Sequence, residues 1–331
     1  MTDRKVDRRE AVKTIAAGAV GAPLLLGPSL AAAATPVSSL PLSSRQARIL
    51  VLTDLHFFCK TAIHDRLTLR LIGKLIDGFG PDLLVLDGDN WHNNPMGRGE
   101  KFCRSVCREM GGFGLPWVYV RGNHDLADDF VRCEEMLSAA RNSLYPSVSC
   151  NANYRVDLSG PDGGVFRRLL VLNDSLPELG FGADEADRLN TMTMEAAGSK
   201  DGDAPCFLFC HIPVRSFEDL VRDGDAHGIM NENVCHENGL PDAINTISGS
   251  GLVDAMFCGH DHVNDYWGEA SGVHLEYVRA TGYGGYGRGK VRKGGTLIVT
   301  GKDDPRQFEA LSVFGDREEW KPEGVPELVK N

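Results

Sequence analysis

Short apolar runs alternate with amphipathic segments along most of this 331-residue chain, and this alternation restricts its fold more than any other feature. Runs that are apolar at nearly every position are typical of strands buried on both faces. Amphipathic segments of helical period between them indicate helices that cover a sheet. The predicted strands are Arg48–Thr53, Leu83–Leu86, Trp117–Arg121, Leu169–Asn173, Cys206–Cys210 and Asp254–Cys258, and the predicted helices are Arg66–Phe79, Lys101–Met110, Asp128–Ala140 and Asp184–Ala197.

Three further predicted strands follow one another without helices between them: Leu275–Ala280, Thr296–Thr300 and Phe308–Val313. Strands joined in this way are expected to pair antiparallel. Alternating strand and helix units with a β-rich end predict an α/β domain with a mixed sheet. The 38 glycines, about 11% of the chain against a usual ~7%, favour many turns and argue against a helical bundle. Because neither a repeat nor a shift in composition divides residues 48–315, we expect one domain there.

The first 34 residues have the features of an export signal. The paired Arg8 and Arg9 precede an uncharged run from Thr14 to Leu30, and Ala31–Ala34 form a small-residue cleavage site. This pattern resembles a twin-arginine signal, which implies export by the twin-arginine machinery to the periplasm or beyond. A frayed helix and an uncleaved membrane anchor are the alternatives. No internal stretch reaches the ~18 uncharged apolar residues of a membrane span, so we expect none after cleavage.

Charge and cysteine content narrow the function. The net charge is −11, and because the first 34 residues contribute +2, the remainder carries −13. This strongly negative net charge argues against broad binding to nucleic acid or to anionic membranes.

The nine cysteines include no Cys-x-x-Cys pair, which excludes a zinc ribbon and a thioredoxin motif. The Ser- and Pro-rich residues 35–47 are predicted to be a linker, and residues 316–331 an acidic, solvated tail.

Polar residues able to bind metals follow five of the predicted strands. In chain order they are Asp54 and His56, Gly88-Asp89-Asn90, Gly122-Asn123-His124-Asp125, His211, and Gly259-His260-Asp261-His262. The carboxyl ends of strands in α/β sheets form the edge where ligands bind. Any one of these motifs could be an ordinary turn or a structural histidine. Together, each after an apolar strand, they predict a metal site.

The residue types also indicate which metals and which chemistry. Carboxylate, imidazole and amide oxygen ligands suit Mn, Fe or Zn and disfavour thiophilic ions. A carboxylate such as Asp89 can bridge two ions, because each of its oxygens has lone pairs to give. Two ions ~3.5–4 Å apart can hold a phosphoryl group and lower the pKa of a bridging water. The glycines before Asp89, Asn123 and His260 are expected to keep the backbone narrow beside the ions.

These motifs, which span residues 54–262, resemble those of the calcineurin-like metallophosphoesterase superfamily. The resemblance implies a four-layer α/β/β/α sandwich with mixed sheets and two divalent or trivalent ions. It places Asp54, His56, Asp89 and His262 on the first ion, and Asp89, Asn123, His211 and His260 on the second. It further implies that a metal-bridging hydroxide attacks phosphorus, that Asn123 helps to position the phosphate, and that His124, its ring oriented by Asp125, contacts the phosphate and protonates the leaving oxygen.

A narrower resemblance is to short purple-acid-phosphatase-like proteins, through His211-Ile212-Pro213, the segment from Gly259 to Tyr266 and Tyr283-Gly284-Gly285-Tyr286-Gly287. Purple enzymes themselves have Asp-x-Gly as the first motif and a tyrosine three residues after the bridging aspartate. Here His56 ends the first motif and His92 occupies the tyrosine position. This departure implies no iron charge-transfer colour, while His56 can supply the missing ligand. We therefore expect an active enzyme.

Phosphomonoesters, as small molecules or phosphoproteins, are the favoured substrates, and phosphodiesters including cyclic nucleotides are the close alternative. A non-catalytic scaffold and a mononuclear zinc hydrolase are the remaining candidates. For His92 the alternatives are a pocket role, including contact with the first metal, and an exposed loop. Tyr283 and Tyr286 are candidates for a substrate wall or for simple packing. The loop from Asp223 to Asn238 is predicted to be a lid or specificity loop, with an inert insertion as the alternative.

Overall fold

The computed structural model describes residues 34–301 and 303–326, and over these residues the chain forms two sheets and six helices. The strands are β1 (Val37–Pro41), β2 (Arg48–Leu52), β3 (Leu83–Asp87), β4 (Trp117–Val120), β5 (Tyr154–Ser159), β6 (Val165–Val171), β7 (Cys206–Phe209), β8 (His227–Ile229), β9 (Val253–Cys258), β10 (Asp265–Ala270), β11 (Val273–Tyr277), β12 (Gly295–Thr300), β13 (Phe308–Val313) and β14 (Glu319–Trp320). The helices are α1 (Ala62–Phe79), α2 (Gly99–Gly112), α3 (Phe130–Ala139), α4 (Ala183–Ala197), α5 (Ser216–Asp223) and α6 (Ala243–Gly249). None of these helices is long and apolar enough to cross a membrane.

Both sheets are mixed. The eight-stranded sheet has the order β1-β5-β6-β7-β9-β11-β10-β8, and its central strands from β6 to β11 run parallel. The six-stranded sheet has the order β14-β13-β12-β2-β3-β4, with β2, β3 and β4 parallel and the other pairings antiparallel. The predicted class, an α/β fold with mixed sheets, is therefore confirmed.

Alternate side chains of β7 show how the layers are stacked. Phe207 and Phe209 belong to the large apolar core that also contains the six-stranded sheet and residues of α1 and α2. Cys206 and Leu208 point the other way, into a second core with residues of α4, α5 and α6. Because successive side chains of a strand face opposite sides of its sheet, both faces of β7 are buried. The result is the four-layer α/β/β/α arrangement.

Two predictions about individual segments, the linker and the pairing of the C-terminal strands, are wrong. Val37–Pro41, placed in the supposed linker, is strand β1 and pairs in parallel with β5. The C-terminal tail is exposed over most of its described length, as predicted, although β14 pairs with β13 and Trp267 Nε1 donates to Pro322 O at 3.0 Å. The strand predicted at Leu275–Ala280 does not join its two successors, because β11 lies in the eight-stranded sheet between β9 and β10. The predicted export signal lies outside the described residues, apart from Ala34, and stays a prediction.

The imidazole of His274 lies between two carboxylates, with Nδ1 at 3.1 Å from Glu269 Oε1 and Nε2 at 2.8 Å from Glu276 Oε2. Burial alone would lower the pKa of His274, but these two contacts raise it to about 9. The charged ring therefore stabilises the fold below the unfolded pKa of about 6.5, and this contribution is lost as the pH rises through 9.

We expect His274→Gln to lower the free energy of unfolding by up to about 3 kcal/mol at pH 6, and by much less at pH 10. Urea unfolding of both proteins across this pH range measures the difference. His64→Gln is the matched control, because His64 lies on α1 with its ring against Thr61 and contacts no carboxylate of β10 or β11. A difference that is the same at pH 6 and pH 10 would contradict the assigned charge.

Candidate metal centre

The carboxyl ends of five strands from both sheets meet at one place. Asp54 N, after β2, donates to Gly88 O, after β3, at 3.2 Å. His211 Nδ1, after β7, donates to Asp87 O at the end of β3 at 2.9 Å, which joins the two sheets. A methyl group at Gly88 would overlap the His211 ring, so only glycine allows this approach.

One cluster of possible ligand atoms comes from Asp54, His56, Asp89 and His262, all buried. The Nε2 atoms of His56 and His262 are 3.0 Å apart, and His262 Nε2 is 3.1 Å from Asp54 Oδ1. His56 Nε2 is 3.3 Å from Asp89 Oδ2. Side chains bound to a common ion place their donor atoms at about this spacing, because metal–ligand bonds are ~2.0–2.2 Å long.

A second cluster comes from Asp89, His211 and His260. Asp89 Oδ2 is 3.3 Å from His211 Nε2, the same distance that separates it from His56 Nε2 in the first cluster. Asp89 is thus shared by the two clusters, as a bridging carboxylate must be. The histidines and aspartates predicted as ligands are therefore brought together in two groups, while the place of Asn123 on the second ion stays a prediction.

Several buried polar atoms in these clusters have no hydrogen-bond partner among the described residues. They include Asp54 Oδ1, Asn123 Oδ1 and His211 Nε2. Buried polar atoms in folded proteins are nearly always satisfied, so unsatisfied acceptors at one place require an explanation. Metal ions supply it, since the two oxygens have lone pairs to donate and His211 Nε2 has one once an ion displaces its proton. The residues present therefore fit a dinuclear metal centre.

The backbone at this centre is strained. Asp54, His56, Asp89 and His260 have φ values of 54°, 43°, 51° and 72°, in the left-handed region that residues with a Cβ rarely adopt. Such conformations cost of order 1–3 kcal/mol each and cluster at functional sites. Here they turn each side chain from the strand end towards the common centre.

The two aspartates of the centre are held in their charged form, which favours the binding of cations. Burial alone would raise the pKa of Asp54 and Asp89, but neighbouring histidines, chiefly His262 and His211, lower both below the usual range. Burial would lower the pKa of His211, but the Asp89 carboxylate raises it to about 10. Without a bound ion, the proton on His211 therefore supplies the positive charge that offsets the buried carboxylates. A bound metal ion would supply that charge instead.

His124 lies beside the two clusters and is anchored through its backbone. Its N–H donates to Asp89 Oδ1 at 2.8 Å, and its ring Nδ1 is 2.8 Å from Asn93 Oδ1. The ring stacks on that of His92, with centroids 4.8 Å apart. Burial lowers the pKa of His124. None of these contacts uses Nε2 of the His124 ring, so this nitrogen can interact with another group.

The structure does not place Asp125 where the resemblance implies. Its oxygens accept from Trp91 N at 3.0 Å, Gly122 N at 3.0 Å and Asn90 Nδ2 at 2.8 Å. These bonds hold the loops after β3 and β4 together, and none reaches the His124 ring. Asn93 occupies the orienting position instead. The prediction that Asp125 orients His124 is therefore wrong.

The three secondary candidates have different surroundings. His92 Nδ1 is 3.1 Å from His56 Nδ1, so His92 contacts the outer nitrogen of a candidate ligand. Tyr286 stacks on His262 with centroids 4.0 Å apart and is 38% exposed, which places it at the rim of the centre. Tyr283 packs against the large core, as the packing alternative requires.

Sequence reasoning missed residues in two loops. Asn93 follows His92 and contacts His124, and Glu237 Oε1 is 3.4 Å from His260 Nε2. Glu232 Oε1 accepts from Tyr286 Oη at 2.6 Å. Both glutamates lie in the loop predicted to be a lid. Their spacing in the sequence does not indicate that they would contact His260 or Tyr286.

The family model described as calcineurin-like phosphoesterase matches residues 47–264. The chain is similar to two Arabidopsis thaliana proteins called probable inactive purple acid phosphatase 29 (24% identical over 303 residues, 78% of each chain) and 28 (26% over 299 residues, 73% of this chain and 72% of the relative). Its fold is similar to that of purple acid phosphatase PPD1 from yellow lupin (Lupinus luteus) seeds, with 12% identity and a TM-score of 0.53 over 88% of this chain and 55% of that one. Since the model covers most of the chain, including all five strand-end motifs, the protein belongs to the calcineurin-like phosphoesterase family and is a metal-dependent phosphoesterase.

Proposed function

We propose that the protein hydrolyses phosphomonoesters at a dinuclear centre, with His124 as the general acid. The observation that carries the proposal is the position of Asp89, whose Oδ2 lies 3.3 Å from a histidine of each cluster. A carboxylate so placed serves two ions at once. Asp54, His56, Asp89 and His262 would hold the first ion, and Asp89, Asn123, His211 and His260 the second.

Two such ions, when bound, supply Lewis acidity that holds the oxygens of a phosphate ester and activates water. The chain's own part is to orient and to move a proton. His124 is fixed through its backbone by Asp89 and through Nδ1 by Asn93, which leaves Nε2 to donate a proton to the departing oxygen. His92 and Tyr286 line the approach to the centre.

The relatives called inactive do not decide against activity here. His56 stands where purple enzymes have glycine, and its Nε2 lies 3.0 Å from His262 Nε2 within the first cluster. The position of the purple enzymes' tyrosine is taken by His92, which contacts His56. The candidate ligand set is thus complete without the tyrosine. Export, the metal identities and the absence of a nucleic-acid surface stay predictions.

The test is hydrolysis of paired chromogenic phosphomonoester and phosphodiester substrates by the purified protein. We expect no turnover after chelation, recovery with Mn, Fe or Zn up to two ions per chain, and a higher kcat/KM for the monoester. Faster cleavage of the diester would make the protein a phosphodiesterase. Two bound ions without turnover of either substrate would overturn the proposal and favour a scaffold, and a single ion would favour a mononuclear hydrolase.

A further inference from the structure

The segment of residues 230–240, here called the strap, is fastened beside the second cluster. Cys235 N donates to Asp261 Oδ2 at 3.0 Å, and Asn231 N donates to Asn264 Oδ1 at 3.0 Å, so two bonds tie the strap to the turn after β9. At its far end, Leu240 N donates to Phe181 O at 2.8 Å. These three bonds fix the path of the strap past the His260 ring.

The strap brings a carboxylate to a candidate ligand. Glu237 Oε1 lies 3.4 Å from His260 Nε2, and the Cys235 thiol donates to the same oxygen at 3.1 Å. His260 Nε2 is buried, and among the described residues Glu237 is the carboxylate within 4.0 Å of it. Glu237 itself has a φ of 51°, a strained conformation that directs its side chain towards this ring.

The other three candidate histidine ligands show a common pattern. Each has Nε2 within 4.0 Å of Asp54 or Asp89, and each has a partner at Nδ1, on the side of the ring away from the centre. The Nδ1 partners are Asp87 O at 2.9 Å for His211, His92 Nδ1 at 3.1 Å for His56 and Tyr286 O at 3.4 Å for His262.

His260 differs from this pattern, because the carboxylate within 4.0 Å of its Nε2 is that of Glu237 rather than one of either cluster. His260 is nevertheless grouped with Asp89 and His211 as a candidate ligand. Since Nε2 faces Glu237, we assign the other ring nitrogen, Nδ1, to the ion that Asp89 and His211 would share.

We propose that Glu237 is a positioning residue for the second ion, an inference that rests on the proposed dinuclear centre but not on its substrate. An ion on Nδ1 keeps the proton on Nε2, and the Glu237 carboxylate accepts that proton in a charge-assisted hydrogen bond. The bond fixes the ring orientation and makes Nδ1 a more basic ligand. Loading of the second ion is thereby coupled to the stability of the hydrogen bonds that hold the strap.

The experiment is a titration of the metal-free, full-length protein with Zn²⁺ against a chelating dye, comparing wild type with Glu237→Ala and Glu237→Gln. We expect Glu237→Ala to weaken one of the two binding steps by about 10–100-fold and to leave the other unchanged. Glu237→Gln should lose less Zn²⁺ affinity, because its amide oxygen can still accept a hydrogen bond from His260 Nε2. Glu218→Ala is the matched control, since Glu218 Oε2 is 3.8 Å from His236 on the same strap and is not in contact with a candidate ligand.

Hydrogen exchange of the strap supplies a readout that a merely structural role would not change. In wild type and Glu218→Ala, Zn²⁺ should slow exchange at the Cys235 amide and its neighbours, and in Glu237→Ala this response should be lost. Equal Zn²⁺ affinities of both steps in Glu237→Ala and Glu218→Ala would overturn the inference. Two bound ions in a wild type that hydrolyses no ester would overturn the proposed function and leave this inference standing.

Discussion

Replacing Asp89 with alanine is expected to abolish binding of both metal ions and to lower kcat/KM by a factor of about 10³ or more. The reason is that Asp89 Oδ2 lies 3.3 Å from a histidine of each cluster. Loss of a ligand such as Asp54 removes an atom from the first cluster alone, whereas loss of Asp89 removes one from both.

The second oxygen of Asp89 adds to this effect. Oδ1 accepts from His124 N at 2.8 Å, so the alanine variant also loses the bond that anchors the backbone of the general acid. Asp89→Asn separates the two contributions, because its amide oxygen can still accept from His124 N but no longer carries the charge that offsets two cations. We expect Asp89→Asn to lose metal almost as completely as the alanine variant while it keeps the wild-type loop conformation.

Metal content by atomic emission after gel filtration, alongside hydrolysis rates, measures both effects. The matched control is Asp265→Asn, which also replaces a buried carboxyl group, but one that contacts Arg279 and Ser312 and belongs to neither cluster. We expect that control to be less stable and to retain two ions. If Asp89→Asn binds two ions as tightly as wild type, Asp89 does not bridge them.

The candidate ligands could be identified from the sequence because each lies directly after an apolar strand. A strand is a local pattern, and parallel strands bring their carboxyl ends to one edge, so Asp54 and Asp89 needed no long-range information to be grouped. His211 joins them from the other sheet, through the packing of the two sheets. The order of strands in the sheets is different. That β11 lies beside β9 rather than β12 depends on packing between distant segments, which the local pattern does not contain.

Residues that support the ligands were harder to find, for the same reason. The family resemblance implies that Asp125 orients the ring of the adjacent His124, yet its carboxylate faces the loop backbone at Trp91 and Gly122. Asn93 and Glu237 reach the centre from loops whose paths are set by hydrogen bonds to other loops. Sequence adjacency does not determine side-chain direction in such turns.

Replacing His124 with glutamine should slow hydrolysis of alkyl phosphomonoesters by about 10²–10⁴-fold, the usual contribution of a general acid. The dependence on the leaving group is the sharper expectation. A para-nitrophenolate departs without protonation, so hydrolysis of para-nitrophenyl phosphate should fall much less than hydrolysis of an alkyl ester. A simple loss of folding or of metal would slow both substrates equally.

The structure gives a reason to expect that His124→Gln keeps both ions. The ring is held by Asn93 through Nδ1 and by stacking on His92, and the loop is anchored through the backbone N–H to Asp89, a bond that the substitution leaves in place. Kinetics on both esters and metal analysis of the same preparation test this directly, with His64→Gln as a control outside the centre. If His124→Gln loses one ion and slows both esters alike, then His124 is a ligand that acts with His56 and His92, and a different group must protonate the leaving oxygen.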